Sequence, residues 1–386
     1  MRHSPIHLAR LAVCCAALPA LGAEPRARDL GIPFDFGTPG RWNAITDVAG
    51  VEVGQVTLIE GDSIRTGVTT VLPRGKGPAG LKKCFAGVAV FNGYGEMTGT
   101  HWVEESGWLE GPIITTDTNN VGVARDAVIR YAADHFGVVN DEEVWSLPVV
   151  AETWAGDLNP AYAQPIKPEH VFRALDSAAP GPVAEGSVGG GTGMRAFGFK
   201  AGIGTSSRVL AAADGGYAVG VLVQANMHGN PEGARLLRIA GVPVGQELAR
   251  EAESERRPDG SILVLIATDA PLLPHQLKRL ARRATLGLAR TGSAGHGDSG
   301  DIFIAFSTAN PGADQEAGTV SLTMLPNDRI DPLFDAAIGA TEEAIINSLV
   351  AAREMRGSGG RSKPGLPLDR VREILRRYNR LQEPGR

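Results

Sequence analysis

Strand-like and helix-like segments occur in blocks along this chain of 386 residues, and this order constrains its architecture. From Asn43, "NAITDVAGVEVGQVTL" alternates apolar and polar positions, and "RTGVTTVLPRG" and "CFAGVAVFNGYGEMTG" continue as strands that end at glycine turns. Helical periodicity follows only after these strands. Since strands and helices do not alternate regularly, the pattern predicts mixed sheets layered with helices rather than a regular βαβ barrel.

Three segments have helical periodicity. "TNNVGVARDAVIRYAADHFG" places Ala124 and Val128 on one face, with an asparagine that can cap the helix and Gly137 that can end it. One apolar stripe runs from Leu273 to Leu288, and "DPLFDAAIGATEEAIINSLVAAREM" predicts a long helix from Asp331. "YAVGVLVQANMHG", "SILVLIATDAPL", "DIFIAFSTAN" and "GTVSLTML" are predicted as strands.

Composition and motif content exclude several classes of partner. The chain has 38 basic and 43 acidic residues and no basic run, so neither a nucleic-acid partner nor an anionic membrane surface is indicated. It contains no G-x-S-x-G, S-x-x-K, H-E-x-x-H or P-loop motif. "GTGMRA" fits the dinucleotide fingerprint only loosely and is not followed by a helical pattern. We therefore expect a small-molecule partner and no metal or organic cofactor.

The first 23 residues have the pattern of a secretory signal. Arg2 and Arg10 precede an apolar run, Leu11–Leu21, and Ala20 and Ala23 are small residues of the kind that precede a cleavage site. The run is too short for an ordinary membrane span. The sequence therefore predicts removal of residues 1–23 and a periplasmic or secreted protein; a buried N-terminal helix is the alternative.

The three cysteines support the same interpretation. Cys14 and Cys15 would leave with the signal, and Val13 stands where a lipoprotein signal has a small residue, so no lipid anchor is expected. Only Cys84 would remain, which rules out an intramolecular disulfide. Stability must come from packing.

A serine at a predicted strand start is the strongest candidate for chemistry. The charged segment of residues 241–260 is predicted to be an exposed and mobile connector. It ends at Gly260, within "PDGSILVLIATDAPL", and the next residue, Ser261, begins an apolar strand. If the Gly260–Ser261 bond is cut, the new α-amine of Ser261, with an unperturbed pKa of about 7.7–8.0, lies beside its own hydroxyl and can accept its proton. The alternative is a simple linker residue.

Several motifs in matching order resemble those of one family, the L-aminopeptidase D-amidase/D-esterase and β-peptidyl aminopeptidases. They are "EGSVGGGTGM", "GIGTSSR", "VLVQANMHG", "PDGSILVLIATDAPL", "HGDSGDIFIAFSTAN" and "DPLFDAAIGATEEAIINSL", and the resemblance runs from about Asn43 to Met355. The family consists of self-processing N-terminal-nucleophile hydrolases. The resemblance implies a four-layered α/β/β/α fold made by an α fragment (residues 24–260) and a β fragment (261–386). Residues 357–386, which are Gly/Ser-rich and then basic, are predicted as a surface tail that ends in a short helix.

The resemblance also assigns roles at the reaction centre. It implies that Gly260–Ser261 is the self-cleavage bond and Ser261 the nucleophile. Ser299 and Asp301 match the second serine and the nearby acid of the family, which would orient the new amine or relay its proton. The alternative for these two is a turn with a helix or strand cap.

Substrate-binding residues are implied in the same way. Asn226 would donate to the oxyanion, its alternative being an Asx turn. Glu152 would bind the free ammonium group of the substrate, its alternative being a strand-end charge that faces solvent. Trp154 stands where the aminopeptidase/D-amidase type has a tyrosine, so any role that needs a hydroxyl is in doubt. Tyr94 also departs from the pattern, which more often has a small polar residue there.

The sequence thus predicts a self-cleaving serine aminopeptidase or amidase that removes N-terminal residues from short peptides, amides or esters. Homo-oligomers of αβ heterodimers, often four, are implied by the resemblance. Two alternatives remain: an acyltransferase of ornithine-acetyltransferase-like architecture, and an uncut periplasmic binding protein without catalytic activity. Whether the substrate residue is an α-, β- or D-amino acid is left open.

Overall fold

The computed structural model describes residues 24–77, 82–136, 147–248, 260–315 and 317–382. The predicted signal (1–23) and most of the predicted mobile connector (249–259) lie outside the described residues. The strands in chain order are β1 (Glu52–Glu60), β2 (Ile64–Leu72), β3 (Cys84–Gly93), β4 (Trp108–Leu109), β5 (Ile113–Asp117), β6 (Val149–Thr153), β7 (Arg195–Ala196), β8 (Phe199–Lys200), β9 (Ile203–Val209), β10 (Ala218–Asn226), β11 (Ser261–Thr268), β12 (Gly300–Ser307), β13 (Met355–Arg356) and β14 (Ser362–Lys363). The α-helices are α1 (Thr100–Ser106), α2 (Val121–Phe136), α3 (Pro168–Asp176), α4 (Pro231–Ala234), α5 (Val244–Leu248), α6 (Pro274–Ala281), α7 (Ala284–Arg290), α8 (Asp331–Val350) and α9 (Leu368–Arg377).

Two mixed sheets form the centre of the protein. One has four strands in the order β1-β2-β5-β6, with β5 and β6 parallel. The other has six strands in the order β4-β3-β12-β11-β10-β9. In the larger sheet β11 is parallel to β12 and antiparallel to β10, and all eight β11 residues are buried. The apolar run that begins at Ser261 is therefore a central strand.

Three apolar clusters separate four layers. The first lies between the six-stranded sheet and helices α6 to α9, the second between the two sheets, and the third between the four-stranded sheet and helices α2 and α3. Alternate residues of β11 belong to different clusters: Ile262 and Val264 face the helices, and Leu263 and Leu265 face the other sheet. The predicted α/β/β/α layering is thus confirmed.

Three local predictions differ from the structure. Residues 318–325, "GTVSLTML", form no strand, and Val320, Leu322 and Met324 are exposed. The predicted helical stripe Leu273–Leu288 lies on two helices, α6 and α7, and its residues Leu277, Leu280, Ala284 and Leu288 are buried. The long helix α8 ends at Val350 rather than near residue 355.

Both ends of the described chain pack against the core. Helix α9 lies in the predicted surface tail, but Val371, Ile374 and Leu375 are buried on its inner face. The backbone N–H of Gln382 donates to the carbonyl of Gly31 at 2.8 Å. Within the described ranges, no helix is both long and apolar enough to cross a membrane.

Candidate active site

The strand register brings three of the predicted site segments together. Ser261, the first residue of β11, is paired with Asn226 at the end of β10 and with Gly300 at the start of β12. Ser261 is 6% exposed. A serine at this position is held by strands on both sides, so its hydroxyl and backbone nitrogen are fixed relative to the neighbouring side chains.

Gly260 occupies a position that only glycine fits. A β-carbon there would overlap the carbonyl oxygen of Asn226 and stand 2.7 Å from its carbonyl carbon. It would also stand 2.9 Å from Nδ2 of the Asn226 side chain. The glycine therefore allows the backbone at residue 260 to approach the end of β10 closely.

Ser299 and Asp301 lie on the other side of the same peptide bond. The Ser299 hydroxyl is 2.6 Å from the Gly260 carbonyl oxygen and 2.7 Å from Oδ1 of Asp301. Asn92 donates to the second carboxyl oxygen of Asp301 at 2.9 Å. The hydroxyl bonds to the Gly260 carbonyl rather than capping a helix, which places Ser299 at the candidate scissile bond.

The charge state of Asp301 determines where the Ser299 proton goes. Burial raises the pKa of Asp301, although hydrogen bonds from Ser299 and Asn92 oppose the rise. A hydroxyl has one proton and can serve only one acceptor at a time. When Asp301 is protonated it can donate to Ser299, and Ser299 is then free to donate to the Gly260 carbonyl. The pair can relay a proton.

The Asn226 side chain is held at both ends of its amide. Its Nδ2 donates to the Trp154 carbonyl at 2.8 Å, and its Oδ1 accepts from the backbone N–H and Nη1 of Arg195, each at 3.2 Å. These partners are distant in sequence, so the amide does not form an Asx turn. An amide nitrogen carries two N–H groups, and the second is the candidate donor to an acyl oxygen.

Glu152 is a buried carboxylate near the start of β12. It is 4% exposed, which excludes the alternative of a solvent-facing charge. Its oxygens accept from the backbone N–H of Glu96 at 3.0 Å and from the Thr118 hydroxyl. A β-carbon on Gly95 would lie 3.3 Å from Glu152 Oε1 and 3.1 Å from Cα of Gly300, so the carboxylate and the start of β12 both lie close to this glycine.

Burial raises the pKa of Glu152, although the hydrogen bonds from Thr118 and Glu96 oppose the rise. A cationic partner would favour the ionised form, as expected of a group that binds an ammonium.

Two aromatic residues flank this part of the site. Trp154 is 41% exposed, with the Arg195 guanidinium 5.5 Å from its ring centre, and Tyr94 is 78% exposed.

Sequence reasoning missed Arg195, Asp157, Asn92 and Thr118. An arginine within the glycine-rich "GGGTGMRAFGF" was the one available signal, because a cation in such a stretch needs a specific partner if it is buried. The other three are ordinary polar residues, and only the fold brings them to the site. Within the described part of the chain, no three His, Cys, Asp or Glu side chains form a group able to hold a metal ion.

Comparison with known proteins gives consistent matches across nearly the whole chain. Residues 43–363 match the model of peptidase family S58. The chain is 51% identical to a β-peptidyl aminopeptidase BapA from Sphingosinicella microcystinivorans, over 94% of this chain and 95% of that protein.

Solved structures extend the likeness to the fold. A β-aminopeptidase from Burkholderia sp. is 49% identical with a TM-score of 0.83, covering 92% of this chain and 99% of that one. The L-aminopeptidase D-Ala-esterase/amidase of Ochrobactrum anthropi, described as a serine aminopeptidase with a variant Ntn hydrolase fold, is 45% identical with a TM-score of 0.85. That match covers 93% of this chain and all of the other.

Proposed function

This chain belongs to peptidase family S58 and is a serine-type aminopeptidase with the Ntn hydrolase fold, and we propose that Ser261 is the nucleophile it uses after cutting its own chain. One observation supports this most directly. Ser261 begins a central strand, and the carbonyl immediately before it lies 2.6 Å from the Ser299 hydroxyl. The bond to be cut is therefore next to both an attacking oxygen and a hydrogen-bond donor.

In the self-cleavage step, the Ser261 hydroxyl oxygen attacks the carbonyl carbon of Gly260, and the Ser299 hydroxyl donates to the carbonyl oxygen. The C–N bond breaks as the Ser261 nitrogen takes up the hydroxyl proton, which leaves an ester between the two residues. Water hydrolyses the ester. The products are a carboxyl group on Gly260 and a free α-amine on Ser261.

In each later turnover, this α-amine accepts the Ser261 hydroxyl proton while the oxygen attacks the substrate carbonyl. Asn226 Nδ2 donates to the negative oxygen that forms, a contribution typically worth about 10²–10³ in turnover. The proton passes to the leaving amine or alcohol. Water then attacks the acyl-enzyme, with Ser299 and Asp301 orienting the amine as it removes the proton from water.

Glu152 determines that the substrate has a free amino terminus. Its carboxylate is buried one glycine away from Gly300, and an ammonium group placed there gains a charge-assisted hydrogen bond. The substrates are short peptides, amides or esters. Because one relative is named a β-peptidyl aminopeptidase, we expect peptides with an N-terminal β-residue to be cleaved. Peptides of the same length that begin with an L-α-residue are the comparison substrates.

We also propose export and assembly. Residues 1–23 have the features of a cleaved signal, which supports a mature protein that is periplasmic or secreted. Val320, Leu322 and Met324 are exposed within the segment 318–325, an apolar surface that a homo-oligomer of αβ heterodimers would cover. N-terminal sequencing of the exported protein and its native mass test the two proposals.

Intact-mass measurement of the wild type and Ser261→Ala tests the catalytic proposal. The wild type should give two fragments that join at 260/261, and the variant should remain one chain without aminopeptidase activity. Ser63→Ala, in the turn between β1 and β2, is the matched control and should be processed normally. Full activity of Ser261→Ala, or of an uncut wild-type chain, would overturn the proposal.

A further inference from the structure

The amide of Asn226 can act on an oxyanion only if its nitrogen, and not its oxygen, faces the acyl group. The structure fixes that orientation through two partners. Arg195 supplies two N–H donors at 3.2 Å to Oδ1, and the Trp154 carbonyl accepts from Nδ2 at 2.8 Å. A rotated amide would place its NH₂ group against the guanidinium and its oxygen against a carbonyl, so both bonds would become repulsive.

Arg195 is itself held by charge. Its side chain is buried, at 4% exposure, and its Nε forms an ion pair with Asp157. Lys363 Nζ lies 3.2 Å from the same Asp157 oxygen. Burial alone would raise the pKa of Asp157, but the guanidinium and the ammonium hold it below its usual value. The carboxylate is therefore ionised and anchors both cations.

The residues that hold Arg195 in place come from both sides of the candidate cleavage bond in the sequence. Asp157 and Arg195 precede residue 260, whereas Lys363 lies on β14 in the following fragment and also donates to the carbonyl of Gly229 at 3.1 Å. Arg195 lies on the short strand β7, paired with Lys200 of β8. A buried cation with a backbone anchor and a carboxylate partner keeps its position after the chain is cut.

We propose that Arg195 is a positioning residue for Asn226, which fixes the amide so that Nδ2 faces the acyl group. The positively charged guanidinium, hydrogen-bonded to Oδ1, also strengthens Nδ2–H as a donor to the oxyanion. A cation bonded to the amide oxygen draws electron density away from the nitrogen, and hydrogen-bond chains reinforce one another in a buried site. The proposal rests on the proposed function, in which Asn226 stabilises the oxyanion.

The test measures kcat and KM for processed Arg195→Met, Arg195→Lys, Asn226→Ala and the double variant Arg195→Met/Asn226→Ala. Intact mass confirms that each preparation is cut at 260/261, so that a processing defect is not counted as a turnover defect. Arg195→Met should lower kcat by about 10- to 100-fold with KM changed little, because the oxyanion contact exists mainly in the transition state. Arg195→Lys should recover part of this loss, since lysine keeps the charge but not the planar fork.

The double variant is the decisive measurement. If Arg195 acts through Asn226, the double variant should be about as slow as Asn226→Ala alone. Arg65→Met is the matched control, because Arg65 is also buried and donates to the backbone carbonyls of Ile64 and Arg356 at 2.7 Å. It should lower the melting temperature and leave kcat unchanged.

Two results would overturn the proposal. One is wild-type kcat in Arg195→Met while Asn226→Ala is slow; the other is losses that simply multiply in the double variant. If Asn226→Ala itself turns over normally, the oxyanion role in the proposed function has failed instead. Should Arg195→Met fail to fold, Asp157→Asn and Arg195→Lys take its place, with a smaller loss of kcat expected in each.

Discussion

Gly260→Ala gives a test of the geometry at the candidate scissile bond. The added methyl group would overlap the carbonyl oxygen of Asn226 and stand 2.7 Å from its carbonyl carbon, inside the 3.0 Å that β-carbons essentially never cross. Both atoms are backbone, so no side chain can rotate away. The backbone at residue 260 and the end of β10 must move apart.

The cost can be worked out from these contacts. Forcing an extra methyl group into a packed site costs about 1–3 kcal/mol of stability. The larger effect is on the reaction, because the Gly260 carbonyl is held by the Ser299 hydroxyl at 2.6 Å and would shift with its backbone. A displacement of about 1 Å in a reacting group typically costs about 10²-fold in rate. We therefore expect self-cleavage to slow about 100-fold.

The assay follows conversion of freshly made precursor on denaturing gels, with intact mass to locate the cut. Gly122→Ala is the control, because a β-carbon at that position of α2 meets no atom within 4 Å. Melting temperatures of both variants separate a folding defect from a slow reaction. The reasoning is wrong if Gly260→Ala is processed at the wild-type rate, or if Gly122→Ala slows equally.

Three further predictions concern buried charges. Glu152→Gln should raise KM for substrates with a free amine. In the wild type, kcat/KM should fall as the pH is lowered, and this fall should come at a higher pH than an exposed glutamate would give, because burial raises the pKa of Glu152. Burial lowers the pKa of Lys200 from 10.5 to about 7, so between these pH values the unfolded chain binds more protons than the folded protein. The free energy of unfolding, measured by denaturant titration, should therefore rise with pH from about 7 to 10.5. Lys200→Met should abolish this rise. Glu343→Gln should cost roughly 3–5 kcal/mol in the same titrations, because it leaves the buried Arg208, now 2.9 Å from the Glu343 carboxylate, without its charge partner; an unchanged midpoint would contradict this.

The hydrogen-bond geometry around Lys200 is consistent with its lowered pKa. Its Nζ donates to the carbonyls of Met194 and Ala201 at 2.7 and 2.6 Å. A neutral amine has two N–H groups, so two carbonyl acceptors match its donors, whereas an ammonium has three N–H groups to satisfy. The site is fully buried, and the neutral form therefore fits it better.

Periodicity predicted the buried elements well. The helix from residue 121 and the strands β10, β11 and β12 lie where their apolar patterns placed them, because each buries a regular set of side chains in the layered core. The segment 318–325 has the same alternation but forms no strand. An alternating pattern indicates a pleated surface and does not specify which neighbour covers it, so Val320 and Leu322 are left exposed.

Strand order could not be predicted from the pattern, yet it determines the site. Asn226, Ser261 and Gly300 are 35 or more positions apart and become neighbours only because β11 pairs with β10 on one side and β12 on the other. Arg195 was missed for the same reason. Its partners Asp157 and Asn226 are distant in sequence, and the glycine-rich stretch around it indicates only that a buried cation there needs a partner, not which residue that is.

The strand order also explains how a cut at Gly260–Ser261 can leave one protein. In the six-stranded sheet, β11 and β12 follow the cut and are flanked by β10 and β3, which precede it. The strands of the fragment after the cut therefore lie between strands of the fragment before it, and the two fragments cannot separate without breaking both the β10–β11 and the β3–β12 ladders. The ion pairs of Arg28 with Glu343 and of Asp157 with Lys363 also join opposite fragments. Cutting the bond frees the amine of Ser261 while its strand remains held in place, which is the condition that a chain-terminal nucleophile requires.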